Sequence, residues 1–300
     1  MTTAQPFFGR LITAMITPMT LDRQIDFAQA ERLADMLVQQ GSDALVLCGT
    51  TGESPTLTWD EEHRLFEVVR HAVGSRAKIL AGTGSNATAE AIAATQKAAS
   101  FGLDGTLQVT PYYNKPPQEG LYQHFRAIAY AAPSLPMMLY NIPSRTGCRM
   151  EVETICRLSD IESIVAVKDA TGDLDHGSQL RSLLPESFAI YAGDDALTLP
   201  LMAIGACGVV SVASHLVGSR LKEMIEKFHR GNIAAARSIH LELYPLFKSL
   251  FTMTNPIPIK TALRLLGHDT GVVRSPLTEG TPQLESQLRQ ELHRLNLLVS

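Results

Sequence analysis

IVAVKDATGD, residues Ile164 to Asp173, reads as one unit of a parallel α/β protein. Four apolar residues, Ile164 to Val167, form a short buried strand, and Asp169, Thr171 and Gly172 supply turn chemistry behind it. Between them stands Lys168, at the carboxyl end of a core strand. An ammonium held among apolar neighbours is disfavoured, so its pKa falls. A lysine that is partly neutral near pH 7 is a nucleophile toward carbonyl carbons and can form a Schiff base. The structural alternative is a strand-end lysine paired with Asp169 or reaching solvent. The choice between them rests on what the other loops bring to it.

Outward from this stretch the same pattern repeats. Apolar strands are expected at Leu11–Ile16, Asp43–Leu47, Lys78–Ala81, Gly105–Val109, Pro136–Leu139, Phe188–Ala192 and Gly208–Ala213, with helical segments between them. Asp26 caps a helix running to about Gln40, whose positions Phe27, Ala30, Leu33, Ala34, Leu37 and Val38 follow the helical period. Thr58 with Glu61 forms a capping box for another. Eight strand–helix units within residues 1–230 predict an α/β fold of the (β/α)8 barrel type. Residues 231–300 read as a C-terminal appendage of three helices, about Ile233–Phe251, Ile257–Leu266 and Pro282–Leu298.

Composition narrows the function. The 300 residues are 45% hydrophobic and 19% charged, with a formal net charge of −4 and no basic run, so nucleic acid is not an expected partner. The first residues lack a signal-peptide pattern, and no apolar run is long enough for a bilayer, so a cytoplasmic, membrane-free protein is expected. Cys48, Cys148, Cys156 and Cys207 form no Cys-x-x-Cys pair and are expected as reduced thiols. The nine histidines are scattered, so neither a metal nor another cofactor is expected.

In such a barrel the site is built by loops at the carboxyl ends of the strands. There stand Thr50 and Thr51, Tyr112 and Tyr113, Tyr140 and Arg145, Lys168, and Gly193 with two aspartates. Imine formation and carbon–carbon bond making both move protons, so a Schiff-base lysine needs hydroxyls around it and a structural lysine does not. Tyr140 is a candidate proton carrier with Thr50 as its relay. The Thr50–Gly52 amides and the Thr51 hydroxyl can hold a small carboxylate. Arg145 offers a planar fork for a second one. The rival view makes the tyrosines rim packing and Arg145 a surface ion pair.

Seven segments in register, GTTGES (49–54), TPYYNKPPQEGLYQHF (110–125), LYNIPSRTG (139–147), VKDATG (167–172), GDD (193–195), GVVSV (208–212) and NPIPIK (255–260), resemble the dihydrodipicolinate synthase (4-hydroxy-tetrahydrodipicolinate synthase) family over nearly the whole chain. The resemblance implies that Lys168 forms an imine with pyruvate and that Thr50, Tyr113 and Tyr140 relay protons, Tyr113 reaching into a neighbouring subunit. It implies a dimer as the active unit, usually within a homotetramer. Thr51 would hold the pyruvate carboxylate, Arg145 would bind L-aspartate 4-semialdehyde, and the carbonyls of Gly193 and Val210 would line the pocket. Asp169 stands where the family commonly has glutamate, and Val210 where it commonly has isoleucine. The resemblance further implies feedback by lysine at Ser54, Pro55, Trp59, Glu62, Asn86, Glu90 and Tyr112. Trp59 and Glu62 replace histidines of many bacterial members, and Pro55 replaces an alanine.

Rivals fit less well. N-acetylneuraminate lyase and the 2-keto-3-deoxy sugar-acid aldolases share the barrel and the lysine, but generally lack the combination of Thr-Thr, Tyr-Tyr-Asn and Ser-Arg-Thr-Gly present here. Gly82-Thr-Gly-Ser-Asn-Ala87 fits a dinucleotide-binding pattern, yet Asp104 precedes the next strand rather than ending it. A catalytically dead barrel would tolerate loss of the lysine or the tyrosines, and none is lost.

Overall fold

The computed structural model describes residues 6–298. Eight parallel strands close into a barrel in chain order: β1 Leu11–Ala14, β2 Ala44–Leu47, β3 Lys78–Gly82, β4 Gly105–Val109, β5 Met137–Asn141, β6 Ile164–Asp169, β7 Ala189–Ala192 and β8 Gly208–Ser211. β8 pairs back onto β1 through Val210 and Ile12, so no strand edge is left open. Helices follow the strands and cover the outside. The helix Phe27–Gln39 starts on Asp26, which accepts from the Gln29 amide, and Trp59–Val73 carries the Thr58–Glu61 capping box. Beyond the eighth unit come Ile233–Ser249, Ile257–Leu265 and Pro282–Arg294.

Strand alternation divides the core in two. Outward side chains such as Leu45, Ile79, Leu139, Val167 and Val209 pack under the helices. Inward ones, among them Ile12, Val46, Leu80, Met138, Ala166 and Val210, fill the barrel. Phe8 and Tyr191 belong to the same interior cluster, and the Tyr191 hydroxyl donates to the Gly9 carbonyl at 2.8 Å. β5 and β6 run further than apolarity alone predicts, to Asn141 and Asp169. Their last residues are polar because the strands enter the site, and a hydrophobic criterion cuts them short. Lys168 is therefore a member of its strand, and it shares the inward parity of Ala166. One short helical turn, Pro143–Thr146, replaces an expected loop.

The C-terminal helices are latched to the barrel by charge. Lys260 Nζ lies 2.6 Å from Glu53 Oε1, with the two side chains 3% and 1% exposed. The Arg274 amide donates to Glu53 Oε2 at 2.9 Å, and its guanidinium grips Glu61 at 2.5 and 2.8 Å. Breaking a buried pair from one side leaves an uncompensated charge and costs about 3–5 kcal/mol. Lys260→Met is expected to lower unfolding stability by about that amount, and Lys260→Met with Glu53→Gln by less. Chemical denaturation of the three proteins checks this; a cost below about 1 kcal/mol for the single variant would mean that Glu53 is not dependent on Lys260.

Candidate active site

Tyr140 on β5 and Lys168 on β6 are register partners on adjacent strands. Both point inward, which sets Lys168 Nζ 4.1 Å from the centroid of the Tyr140 ring. Lys168 is buried at 6% exposure. Burial pulls its pKa down to about 7; the carboxylate of Asp195 opposes the fall and the charge of Arg145 adds to it. A substantial neutral fraction thus exists at neutral pH. The bland pairing with Asp169 does not occur, because Asp169 faces outward and its Oδ2 lies 3.0 Å from His176 Nδ1.

Burial pushes the Tyr140 phenol up to about 12, while Arg145 and a hydrogen bond with Thr50 pull against that rise. Tyr140 is therefore a neutral hydroxyl at physiological pH, able to accept one proton as it gives another. Asp195 is buried and takes three donors: Ser211 Oγ at 2.5 Å and the Val212 and Ala213 amides at 3.0 Å each. These bonds pin the end of β8, where Val210 sits, opposite the Gly193 turn that follows β7. The Gly193 amide donates to the Asp169 carbonyl at 2.7 Å, which ties that turn to the lysine strand.

Above this floor lies a cavity of about 370 Å³, walled in part by Thr50, Tyr112, Tyr140, Ile142 and Arg145. Lys168 and Thr51 are not wall residues themselves; they touch Tyr140 and Asn255, which are. Gly82 and Gly84 form part of the wall. A Cβ on Gly82 would stand 2.3 Å from the Cys48 carbonyl oxygen, and one on Gly84 2.5 Å from the Val109 amide. Close strand packing thus explains both glycines of the dinucleotide-like pattern. Arg145 makes no ion pair among the described residues and is exposed at the rim, which leaves its fork open to a ligand.

Tyr113 is not brought into this cavity. Its side chain is 90% exposed, on a backbone at φ +74 whose amide reaches the Thr146 carbonyl at 3.4 Å. Left-handed backbone is unfavourable for a tyrosine and persists where the surroundings enforce it.

Of the second group of candidates, Trp59, Glu62, Asn86 and Glu90 are not part of the cavity wall. Ser54, Pro55 and Tyr112 line the same cavity as Thr50. Ser54 Oγ donates to Glu62 Oε1 at 2.8 Å. Burial, with Glu61 beside it, pushes the Glu62 carboxyl up to about 7 against the pull of Ser54. Asn86 Nδ2 donates to the Tyr112 carbonyl at 3.2 Å, and Glu90 Oε2 accepts from Ser85 at 2.8 Å. Trp59, in the first turn of its helix, is 52% exposed.

Sequence reasoning assigned no role to Asp195 or Asn255. Both stand inside motifs quoted above, GDD and NPIPIK, and each is a buried polar residue reaching the site. Among the described residues, no three or more His, Cys, Asp or Glu side chains gather as a metal site, and no helix is long and apolar enough to cross a membrane.

The model of the dihydrodipicolinate synthetase family matches residues 7–295. A 4-hydroxy-tetrahydrodipicolinate synthase of Cyanothece sp. is 60% identical over 291 residues, 97% of this chain and 99% of the relative. That of Thermosynechococcus vestitus is 60% identical over 293 residues, 98% of this chain and 99% of the relative. The crystal structure of the Cyanidioschyzon merolae DHDPS with lysine bound superposes with a TM-score of 0.97 at 54% identity, covering 98% of this chain and 100% of that one. The Aquifex aeolicus dihydrodipicolinate synthase gives 0.94 at 45% identity, covering 97% and 99%. With the fold, the lysine strand and near-complete relatives in agreement, the chain belongs to the dihydrodipicolinate synthetase family.

Proposed function

We propose that this chain condenses pyruvate with L-aspartate 4-semialdehyde to give 4-hydroxy-tetrahydrodipicolinate. The observation that carries the reading is the buried Lys168 amine, held against the Tyr140 ring with a pKa drawn down to about 7. Neutral Nζ attacks C2 of pyruvate, and loss of water leaves an imine. Loss of a C3 proton gives an enamine, whose carbon attacks the aldehyde carbon and forms the new carbon–carbon bond. The amino group of the adduct then attacks the imine carbon, closes the ring and releases Lys168. One water is lost overall.

In this reading Tyr140 and Thr50 carry the protons, and Tyr113 completes the relay in a second copy of the chain. Its outward, left-handed placement supports a role beyond its own cavity. The working unit is then a dimer, within a homotetramer. Thr51 holds the pyruvate carboxylate, Arg145 the carboxylate of the semialdehyde, and the carbonyls of Gly193 and Val210 line the pocket. The reaction needs no cofactor and belongs in the cytoplasm. The sugar-acid and sialic-acid aldolases remain poorer fits, because Arg145 and the paired threonines answer small carboxylates.

Lysine, the end product of this chemistry, is the inhibitor in our reading, as the lysine-bound relative supports. Glu62 attracts its ammonium, Trp59 covers its stem, and Asn86 and Glu90 take the α-amino group. Ser54, Pro55 and Tyr112 join that site to the cavity wall.

Borohydride with pyruvate is expected to leave a reduced pyruvyl adduct on Lys168, located by peptide mapping, and Lys168→Ala or Lys168→Arg abolishes it. Undiminished adduct in either variant would remove Lys168 from the mechanism. The trapping rate should fall about tenfold per pH unit below about pH 7, where the amine is protonated, and level off above it. Mixed oligomers of inactive Tyr113→Phe and Lys168→Ala subunits should recover activity; mixed oligomers that stay dead contradict action across the interface. Glu62→Lys is expected to relieve lysine inhibition without lowering uninhibited turnover. Steady-state assays decide this, and full activity of the unmutated enzyme in lysine at tens of millimolar, roughly 6 kcal/mol weaker than a micromolar site, would exclude the effector role.

A further inference from the structure

The C-terminal segment enters the site at one polar contact. Asn255 lies between the helices Ile233–Ser249 and Ile257–Leu265, is 6% exposed, and forms part of the cavity wall. Its Nδ2 donates to Thr51 Oγ1 over 2.8 Å. A hydroxyl has one proton to give and lone pairs to receive with. Asn255 occupies the receiving side, so the Thr51 proton must go elsewhere. Among the described residues no side chain or carbonyl accepts it, and that donor is left for a ligand.

A second observation points the same way. Asn255 Oδ1 is buried and has no partner. A buried acceptor without a hydrogen bond is costly and calls for a functional explanation. The loop that carries Thr51 is also fixed from the same segment, because Lys260 and the Arg274 amide hold the Glu53 carboxylate two residues on. Glu53 has a left-handed backbone, φ +59, so these contacts hold a turn that a free loop would leave. Thr51 is thus oriented from one side by its own loop and from the other by Asn255.

We propose that Asn255 is a positioning residue for substrate-carboxylate recognition: it fixes the Thr51 hydroxyl as a donor, so that an anionic keto acid is preferred over a neutral analogue. This rests on the reading that pyruvate forms its imine on Lys168, and names what selects the acid form.

The test compares pyruvate with its neutral methyl ester by borohydride trapping on the full-length enzyme. Asn255→Ala is expected to need about tenfold more pyruvate for half-maximal trapping, with methyl pyruvate little changed. The preference for the acid therefore falls about tenfold. Thr51→Val should behave alike, and adding Asn255→Ala to it should change pyruvate trapping little further. Asn255→Asp keeps the volume but turns the donor into an acceptor that captures the Thr51 proton. It is expected to lose pyruvate more than the ester, and serves if the alanine variant fails to fold. Equal losses for both compounds, strictly additive effects of Asn255→Ala and Thr51→Val, or an unaltered preference in a folded variant would each overturn the proposal. If the unmutated enzyme gives no adduct with pyruvate, the Schiff-base reading itself falls, a result distinct from trapping with unchanged selectivity.

Discussion

Everything near the mouth of this barrel depends on keeping the Lys168 amine dry. Water at that point would favour the ammonium and undo the fall in its pKa. Side chains in successive layers exclude it: Phe8 and Tyr191 in the barrel interior, and the Tyr140 ring over the amine itself. A buried lysine would ordinarily recruit the nearest carboxylate and become charged again. Asp195 is the carboxylate in question, and its oxygens are already engaged by Ser211, Val212 and Ala213. Burial raises the pKa of Asp195 while those bonds pull it down, and it acts on the amine through space, not as a hydrogen-bond partner. The amine is left between two opposing influences, and small changes in either move its protonation.

Neighbouring acids on one helical turn show how far environment overrides sequence position. Glu61 and Glu62 are adjacent, and a helix N-terminus favours anions at either site. Arg274 and the Thr58 cap draw Glu61 down to about 2, whereas burial drives Glu62 up to about 7. The first is committed to structure, since it fastens the C-terminal segment to the barrel. The second is a carboxylate that burial holds near its titration point. The same turn thus carries a latch on one residue and a responsive group on the next.

The barrel was legible because short apolar runs and segments of helical period alternate eight times along the chain. Lys168 was legible from polarity at the end of an apolar run. The limits of the strands were not, since β5 and β6 continue into Tyr140, Asn141, Lys168 and Asp169, whose character is set by the site they enter. The contact of Asn255 with Thr51 spans 204 residues, and neither residue carries any local mark of the other. The inward course of Lys168 and the outward course of Asp169 follow from strand parity only once β6 is seen to run to Asp169, and His176 as the partner of Asp169 had no mark in the sequence. Tyr113 was assigned outward only through family resemblance; its backbone conformation gives a physical reason that composition lacks.

The wall supplied by Thr254, Asn255, Pro276 and Leu277 has a consequence for the order in which the enzyme comes into being. Synthesis delivers the eight strands before that segment. The strands by themselves carry Lys168 but lack one side of the chamber. The segment with the latch at Lys260 and Arg274 comes after all eight strands and closes that side. The eight strands alone therefore do not make the whole chamber, which is complete only when the segment carrying Asn255, Lys260 and Arg274 is docked on them.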